Sequence, residues 1–177
     1  MAFDLRPLGR LVLRSLKALG AGSKPGTPAP SAHRHGRAPG AGKQSIAYPG
    51  DFTGTARMNY APKPDGQPDP GEIVWSWVPY EEDHSRGKDR PVLVVGRDGG
   101  WLLGLMLTSK DHDNGYRAGD YVDIGSGPWD RQGRPSEVKL DRVIRLDPQA
   151  VRREGAVLGQ SRFNAVSKAM KERHQWN

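Results

Sequence analysis

Residues 72 to 78 alternate in a two-residue period: Ile73, Trp75 and Trp77 fall on one face, and Glu72, Val74, Ser76 and Val78 on the other. That period is the signature of a β-strand, here with one wholly apolar face and one mixed face, so the strand is expected to be covered on both sides. Core packing is the first expectation for both tryptophans, ahead of stacking on a base. Pro79 ends this strand, and YEEDHSRGKD after it reads as a solvated, charged loop. Pro91 pushes Arg90 into an extended conformation at a strand entrance. Val92 to Val95 continue as a buried strand, and Asp98-Gly99 or Gly99-Gly100 turns the chain into Trp101 to Leu107. The result is a hairpin that returns Thr108 and Ser109 to the Arg90 end.

Further along, Tyr121, Val122 and Ile124 make a short strand, GSGP and DRQGRPS are turns, and Val138, Leu140, Val143 and Ile144 lie in a strand pair or one bent strand. Asp147-Pro148 opens a helical turn with Asp as cap and Pro in the first position. Phe163, Val166 and Met170 recur at helical spacing, so the last helix presents an apolar stripe to the sheet or to a dimer seam.

Composition divides the chain. Ten of the fifteen prolines lie in the first 70 residues, and all five tryptophans lie after residue 74. The folded domain is therefore expected over 70–177, after a disordered Gly/Pro-rich linker over 21–69 that lacks the apolar content to offset chain entropy. Residues 1–20 carry Leu5, Leu8, Val12, Leu16 and Leu19 at helical spacing beside Arg6, Arg10, Arg14 and Lys17, a basic amphipathic helix. The arginines interrupt the apolar run too often for a secretory signal or a membrane span. A membrane surface or an acidic partner is the fit for such a helix, with a transit peptide or an extension without a task as alternatives.

Charge follows the same division. Residues 1–50 hold eight Lys or Arg against the single Asp4, whereas residues 51–177 hold nineteen of each sign. Within the domain, residues 51–130 are net acidic and 131–177 net basic, so the C-terminal half can track a phosphate backbone or an acidic protein segment. There is no cysteine, which excludes disulfides, thiol nucleophiles and zinc thiolates.

The chemistry concentrates at the hairpin mouth. One permanently charged, bidentate guanidinium, Arg90, and two hydroxyls, Thr108 and Ser109, suit cleavage of RNA by its own 2′-hydroxyl, where the transition state gathers charge on phosphoryl oxygens. Glu82, Asp83 or His84 can take the 2′-proton if their loop folds inward. Arg86, Lys88, Lys110 and His112 flank the mouth as candidate RNA contacts. Asp111, His112 and Asp113 form a polar loop that can also ligate a metal or assist proton transfer. PGAGKQS at 39–45 is not a phosphate loop, since Gln44 replaces the needed hydroxyl and no strand precedes it. His33 and His35 lack the companions a metal site needs. No cofactor and no metal is expected.

These pieces together resemble the MazF/PemK toxins of bacterial toxin-antitoxin pairs, and in detail the actinobacterial branch. GEIVW resembles the opening strand of the family, DRPVLVV its arginine-bearing strand, GLMLTS the strand that closes on its active hydroxyl, SEVKLDRVIRLD its later strand pair and SRFNAVSKAM its terminal helix. The resemblance implies a mainly β (α+β) fold, an SH3-like small β-barrel with a C-terminal α-helix, usually a homodimer. It implies a sequence-selective, metal-independent endoribonuclease acting on single-stranded RNA (mRNA) in the cytoplasm, restrained by a cognate antitoxin, with nucleic-acid binding extending to DNA. Position by position, the catalytic arginine falls on Arg90 and the catalytic hydroxyl on Thr108. The chain departs from the family in two places. EEDHSRGKD stands where a G-S-E-Q run is usual, and the connection from Val95 to Trp101 is shorter. The proton acceptor and the base preference are therefore not carried over. The rival reading is a non-catalytic barrel that binds RNA or a protein, held at a membrane surface by the N-terminal helix.

Overall fold

The computed structural model describes residues 47–112 and 116–176, with backbone alone at 153–155. The expected amphipathic helix over 1–20 and most of the expected linker lie outside these residues. Six strands form one antiparallel sheet: β1 (Glu72–Pro79), β2 (Gly87–Asp98), β3 (Trp101–Thr108), β4 (Tyr121–Gly125), β5 (Ser136–Leu146) and β6 (Arg153–Val157). A C-terminal helix, α1 (Gln160–His174), follows. The strand order is β4-β5-β3-β2-β1-β6, a curled sheet whose edges are β4 and β6. β6 had no clear signal in the sequence, and it pairs Glu72 with Val157 and Ile73 with Ala156.

The β2–β3 hairpin forms as its turn residues demand. Gly99 sits at φ +57° between Asp98 and Trp101, which pair directly. A side chain is strained in that left-handed conformation, and the two-residue Gly-Gly loop matches the twist of the strands. β2 starts earlier than expected: Gly87, Lys88 and Asp89 pair with Pro79, Val78 and Trp77 instead of remaining in the charged loop. Ladder hydrogen bonds at this end outweigh the polarity of the side chains, which alternate outward. β5 is one bent strand. Leu105 faces its Val143 and Leu107 its Val138, so three residues of β3 oppose six of β5 and the sheet curls there.

Both faces of the sheet are covered, as the apolar runs demanded. On one face Ile73, Leu93, Leu103 and Leu105 join Phe163, Val166 and Met170 of α1 in the larger core. On the other, Val74, Val92, Val94, Leu102 and Ile144 form a second cluster against Met106 and Val151. The alternation predicted for β1 thus distributes Ile73 and Val74 to opposite cores, and both are fully buried. The tryptophans do not follow: Trp75 is half-buried and Trp77 is 38% exposed, although Val78 on the opposite face stays buried in the second cluster.

The domain also begins earlier than residue 70. Residues 47–69, expected as the end of the linker, lie against the sheet and α1. Phe52, Ala56, Met58 and Tyr60 pack on the larger core. The Phe52 N–H donates to the Val143 carbonyl at 2.8 Å, and the Tyr60 hydroxyl donates to the Leu158 carbonyl at 2.9 Å. Phe52 meets Trp176 edge to face at 5.8 Å. Four spaced apolar side chains are enough to dock an extended segment whose backbone carries no helix or strand. Asp147 accepts from the Gln149 N–H and Pro148 opens a short 3-10 turn, as its sequence predicted. Among the described residues no helix is long and apolar enough to cross a membrane.

Candidate active site

Paired polar positions lie where β2 begins and β3 ends. Ser76 of β1 pairs with Arg90, Thr108 pairs with Glu137, and Glu137 pairs with Asp123 of β4. Arg90 and Thr108 lie in the register set by Val92↔Met106, two residues further out. Neighbours in such pairs are about 5 Å apart and share a face. Ser76–Arg90 and Thr108–Glu137–Asp123 are thus two paired polar runs at this end of the sheet, just beyond the last β2–β3 pair, Val92↔Met106.

An open groove of about 670 Å³ lies along this end. Arg90, Pro91 and Asp89 of β2 line it with Leu107, Thr108, Ser109 and Lys110. Trp75 of β1, Arg152 before β6, and Trp129 to Gln132, Arg134 and Ser136 from the β4–β5 connection complete the walls. Five cations thus face two carboxylates, and both carboxylates are engaged: Asp130 with Arg134 at 2.9 Å and Asp89 with Arg152. Arg90, Lys110 and Arg131 have no carboxylate within ion-pair distance among the described residues. The groove is therefore positive and suited to a polyanion. Burial works against the charge on Asp130, but hydrogen bonds from the Gln132 N–H and Arg134 hold its carboxyl below the usual range.

The Thr108 hydroxyl oxygen accepts the Lys110 N–H at 3.1 Å. With a lone pair so engaged, its own O–H is left to donate outward. Arg90 brings a planar donor fork to the same groove.

The β4–β5 connection is anchored instead of solvated. Trp129 is buried, donating its Nε1–H to Ser136 Oγ at 3.1 Å, and its carbonyl accepts the Trp75 indole N–H at 3.2 Å. Sequence reasoning took DRQGRPS as a plain turn and so missed Arg131, Gln132 and Arg134. Its one signal was Trp129, a large indole inside a Gly/Pro-rich loop.

The expected proton-transfer loop lies elsewhere. Glu82, Asp83 and His84 do not line the groove. Asp83 folds back on Ser85, accepting its hydroxyl at 2.6 Å and its N–H at 3.0 Å, and these bonds keep the Asp83 carboxyl below its ordinary range. His84 stands edge-on to Tyr48 at 4.9 Å, drawn to the docked segment before β1. Glu82 is exposed. Of the candidate RNA contacts only Lys110 lines the groove. Arg86 and Lys88 sit over the Tyr80 ring at 5.7 and 6.0 Å. His112 pairs with Glu137, Nδ1 to Oε2 at 2.7 Å. Among the described residues no group of three or more His, Asp or Glu is arranged to hold a metal ion.

A family model of PemK-like, MazF-like toxins of type II toxin-antitoxin systems matches residues 69–173. The chain belongs to this family. Curated protein sequences give no match. Solved structures similar to this toxin-family chain include MazE-MazF from Deinococcus radiodurans, 20% identical over 62% of this chain and 98% of that one, with a TM-score of 0.45. An endoribonuclease in complex with its cognate antitoxin from a mycobacterial species is 14% identical over 59% and 92%, with a TM-score of 0.45. The Mycobacterium tuberculosis toxin MazF-mt6 is 15% identical over 60% and 98%, with a TM-score of 0.42. The match over 69–173 takes in Arg90, Thr108 and Glu137.

Proposed function

We propose that this PemK/MazF-family chain is a metal-independent endoribonuclease toxin that cuts single-stranded RNA through the 2′-hydroxyl and is restrained by a cognate antitoxin. The observation that carries the reading is that Arg90 and Thr108 both line one positive groove. In this reading Arg90 clamps two phosphoryl oxygens and the Thr108 O–H donates to them as charge develops. Removing such a donor costs about 3 kcal/mol. The 2′-oxygen forms its bond to phosphorus as the 5′-oxygen leaves, giving a cyclic phosphate and a 5′-hydroxyl end. Lys110, Arg131 and Arg134 hold the flanking backbone, and Ser109 offers a second hydroxyl. Glu82, Asp83 and His84 take part only if their turn moves over the groove.

The finer features of the reading are a closed SH3-like barrel completed beyond the six-stranded sheet, a homodimer, selection of an RNA sequence, action in the cytoplasm and a place in the actinobacterial branch. The test is cleavage of a long single-stranded RNA in excess EDTA by wild-type, Arg90→Ala and Thr108→Ala proteins, with the new ends mapped. The expected result is discrete cuts bearing 5′-hydroxyl ends, lost in Arg90→Ala and reduced about 100-fold in Thr108→Ala. Uncut RNA that still binds the folded wild-type protein would instead identify a binding module.

A further inference from the structure

His112 and Glu137 form a carboxylate–imidazole pair beside Thr108 that the reading above leaves without a task. Glu137 is the cross-strand partner of Thr108 and is only 7% exposed. Its two oxygens take separate bonds from one residue: Oε1 accepts the His112 N–H at 3.1 Å, and Oε2 meets His112 Nδ1 at 2.7 Å. The Tyr121 ring stacks on the imidazole, centroids 3.8 Å apart and planes 1° apart. The ring is thus fixed by a carboxylate, by its own backbone and by an aromatic face.

A carboxylate at Nδ1 selects the tautomer with the proton on Nδ1, which leaves the Nε2 lone pair as the acceptor. This is the base-and-orienter arrangement of nucleophile-activating sites, in which the group behind the imidazole sets its direction. The chain between them is folded to match. Thr108 Oγ1 caps the Lys110 N–H and Glu137 caps the His112 N–H, so residues 108–112 wrap around the Thr108–Glu137 pair. Ser109 and Lys110 of this stretch line the groove; His112 and Glu137 do not, and they adjoin it through Thr108, the cross-strand partner of Glu137.

We propose that His112 is the general base of the cleavage step, with Glu137 as its positioning residue. The inference rests on the ribonuclease reading. The 2′-hydroxyl gives its proton to His112 Nε2 as the 2′-oxygen bonds to phosphorus, and the departing 5′-oxygen takes a proton from water. Among the described residues, the titratable groups against the ring are Glu137 and Tyr121, with Asp111 beside it in sequence and Asp123 and Lys139 on the strands that carry its partners. A protonated imidazole cannot act, so kcat should fall on the acid side with the titration of one group.

The experiment measures kcat and KM against pH for wild-type, His112→Ala, His112→Gln and Glu137→Gln proteins, on an RNA that the wild-type protein cuts. The expected result is a kcat lowered about 100-fold in both His112 variants with KM little changed. The acid limb should vanish in His112→Ala, and added imidazole should restore part of its rate. Glu137→Gln should keep the limb and lower kcat by less than the His112 variants do. A folded His112→Ala protein with unchanged kcat, or with the acid limb intact and no imidazole rescue, would overturn the assignment. If the wild-type protein cuts no RNA while remaining folded, the ribonuclease reading has failed first, and this proposal falls with it.

Discussion

Asp51 accepts two hydrogen bonds from the Arg142 guanidinium, at 2.6 and 3.0 Å, across 91 residues of sequence. The same guanidinium donates to the Pro79 carbonyl at 2.7 Å, and Tyr48 donates its hydroxyl to Asp51. One arginine at the bend of β5 therefore joins the segment before β1, the end of β1 and the middle of the sheet. Burial opposes ionisation of Asp51, yet the bonds from Arg142 and Tyr48 prevail and hold its carboxyl below the ordinary range. Burial and the neighbouring carboxylate push the Tyr48 hydroxyl well above its ordinary value.

The acid limb of stability follows from that depressed carboxyl. A carboxyl lowered in the folded state contributes stability fully above its unfolded value, about 3.9, and loses it as pH falls through the lower folded value. Asp51→Asn should destabilise by about 2 kcal/mol at neutral pH, and the gap from wild type should narrow below about pH 4. Thermal unfolding across pH 3 to 7 measures both. A gap that stays constant with pH would mean that the ionised carboxylate contributes nothing.

Removal of the docked segment should unfold the domain even though no strand is lost. Phe52 and Tyr60, both partly buried, each lay a ring against the α1 side of the core. Phe52→Ala should cost about 3 kcal/mol, and a chain starting at residue 62 should lose its cooperative melt. Circular dichroism with heating distinguishes this from a chain that starts at residue 47, which keeps every described contact.

The groove cations should act by charge, and Arg131 reports it most simply because its own partner is solvent. Arg131→Ala should weaken RNA binding to an uncleaving Arg90→Ala protein and lower the slope of log affinity against log salt by about one. Titrations at several salt concentrations give the slope. An unchanged slope would place Arg131 away from the phosphates.

Gly87 should resist any side chain. A Cβ there would stand 2.3 Å from the Val78 carbonyl oxygen and 2.7 Å from the Trp77 ring, so either β1 or the indole must move. Gly87→Val should lower stability by about 2 kcal/mol and alter the Trp77 emission spectrum. Denaturant melts and fluorescence check the two effects separately.

Much of this was legible from the chain alone. The two-residue period of Ile73 to Val78, the Gly99-Gly100 turn, the Asp147-Pro148 cap and the Phe163, Val166 and Met170 stripe are local signals. Backbone sterics and the burial of alternate side chains fix them wherever they occur. The hairpin in turn brings the Arg90 and Thr108 ends to one groove, although its register shifts by one residue between Val94 and Gly96, which the turn alone does not set. The proton acceptor was legible only as alternatives, the 82–84 loop or the 111–113 loop. His84 had the right chemistry in a charged loop but turns to Tyr48, while His112 meets Glu137 across 25 residues. Residues 47–69 read as linker because four spaced apolar side chains make no periodic pattern, and their value depends on a surface formed by β5, β6 and α1. Sequence by itself determined most of the elements and the hairpin mouth, since those rest on contacts a few residues apart, but not β6 or the start of β2. Only the tertiary structure decided which loop walls the groove, which histidine stands beside Thr108 and where the domain begins, since each depends on partners that the chain brings together from a distance.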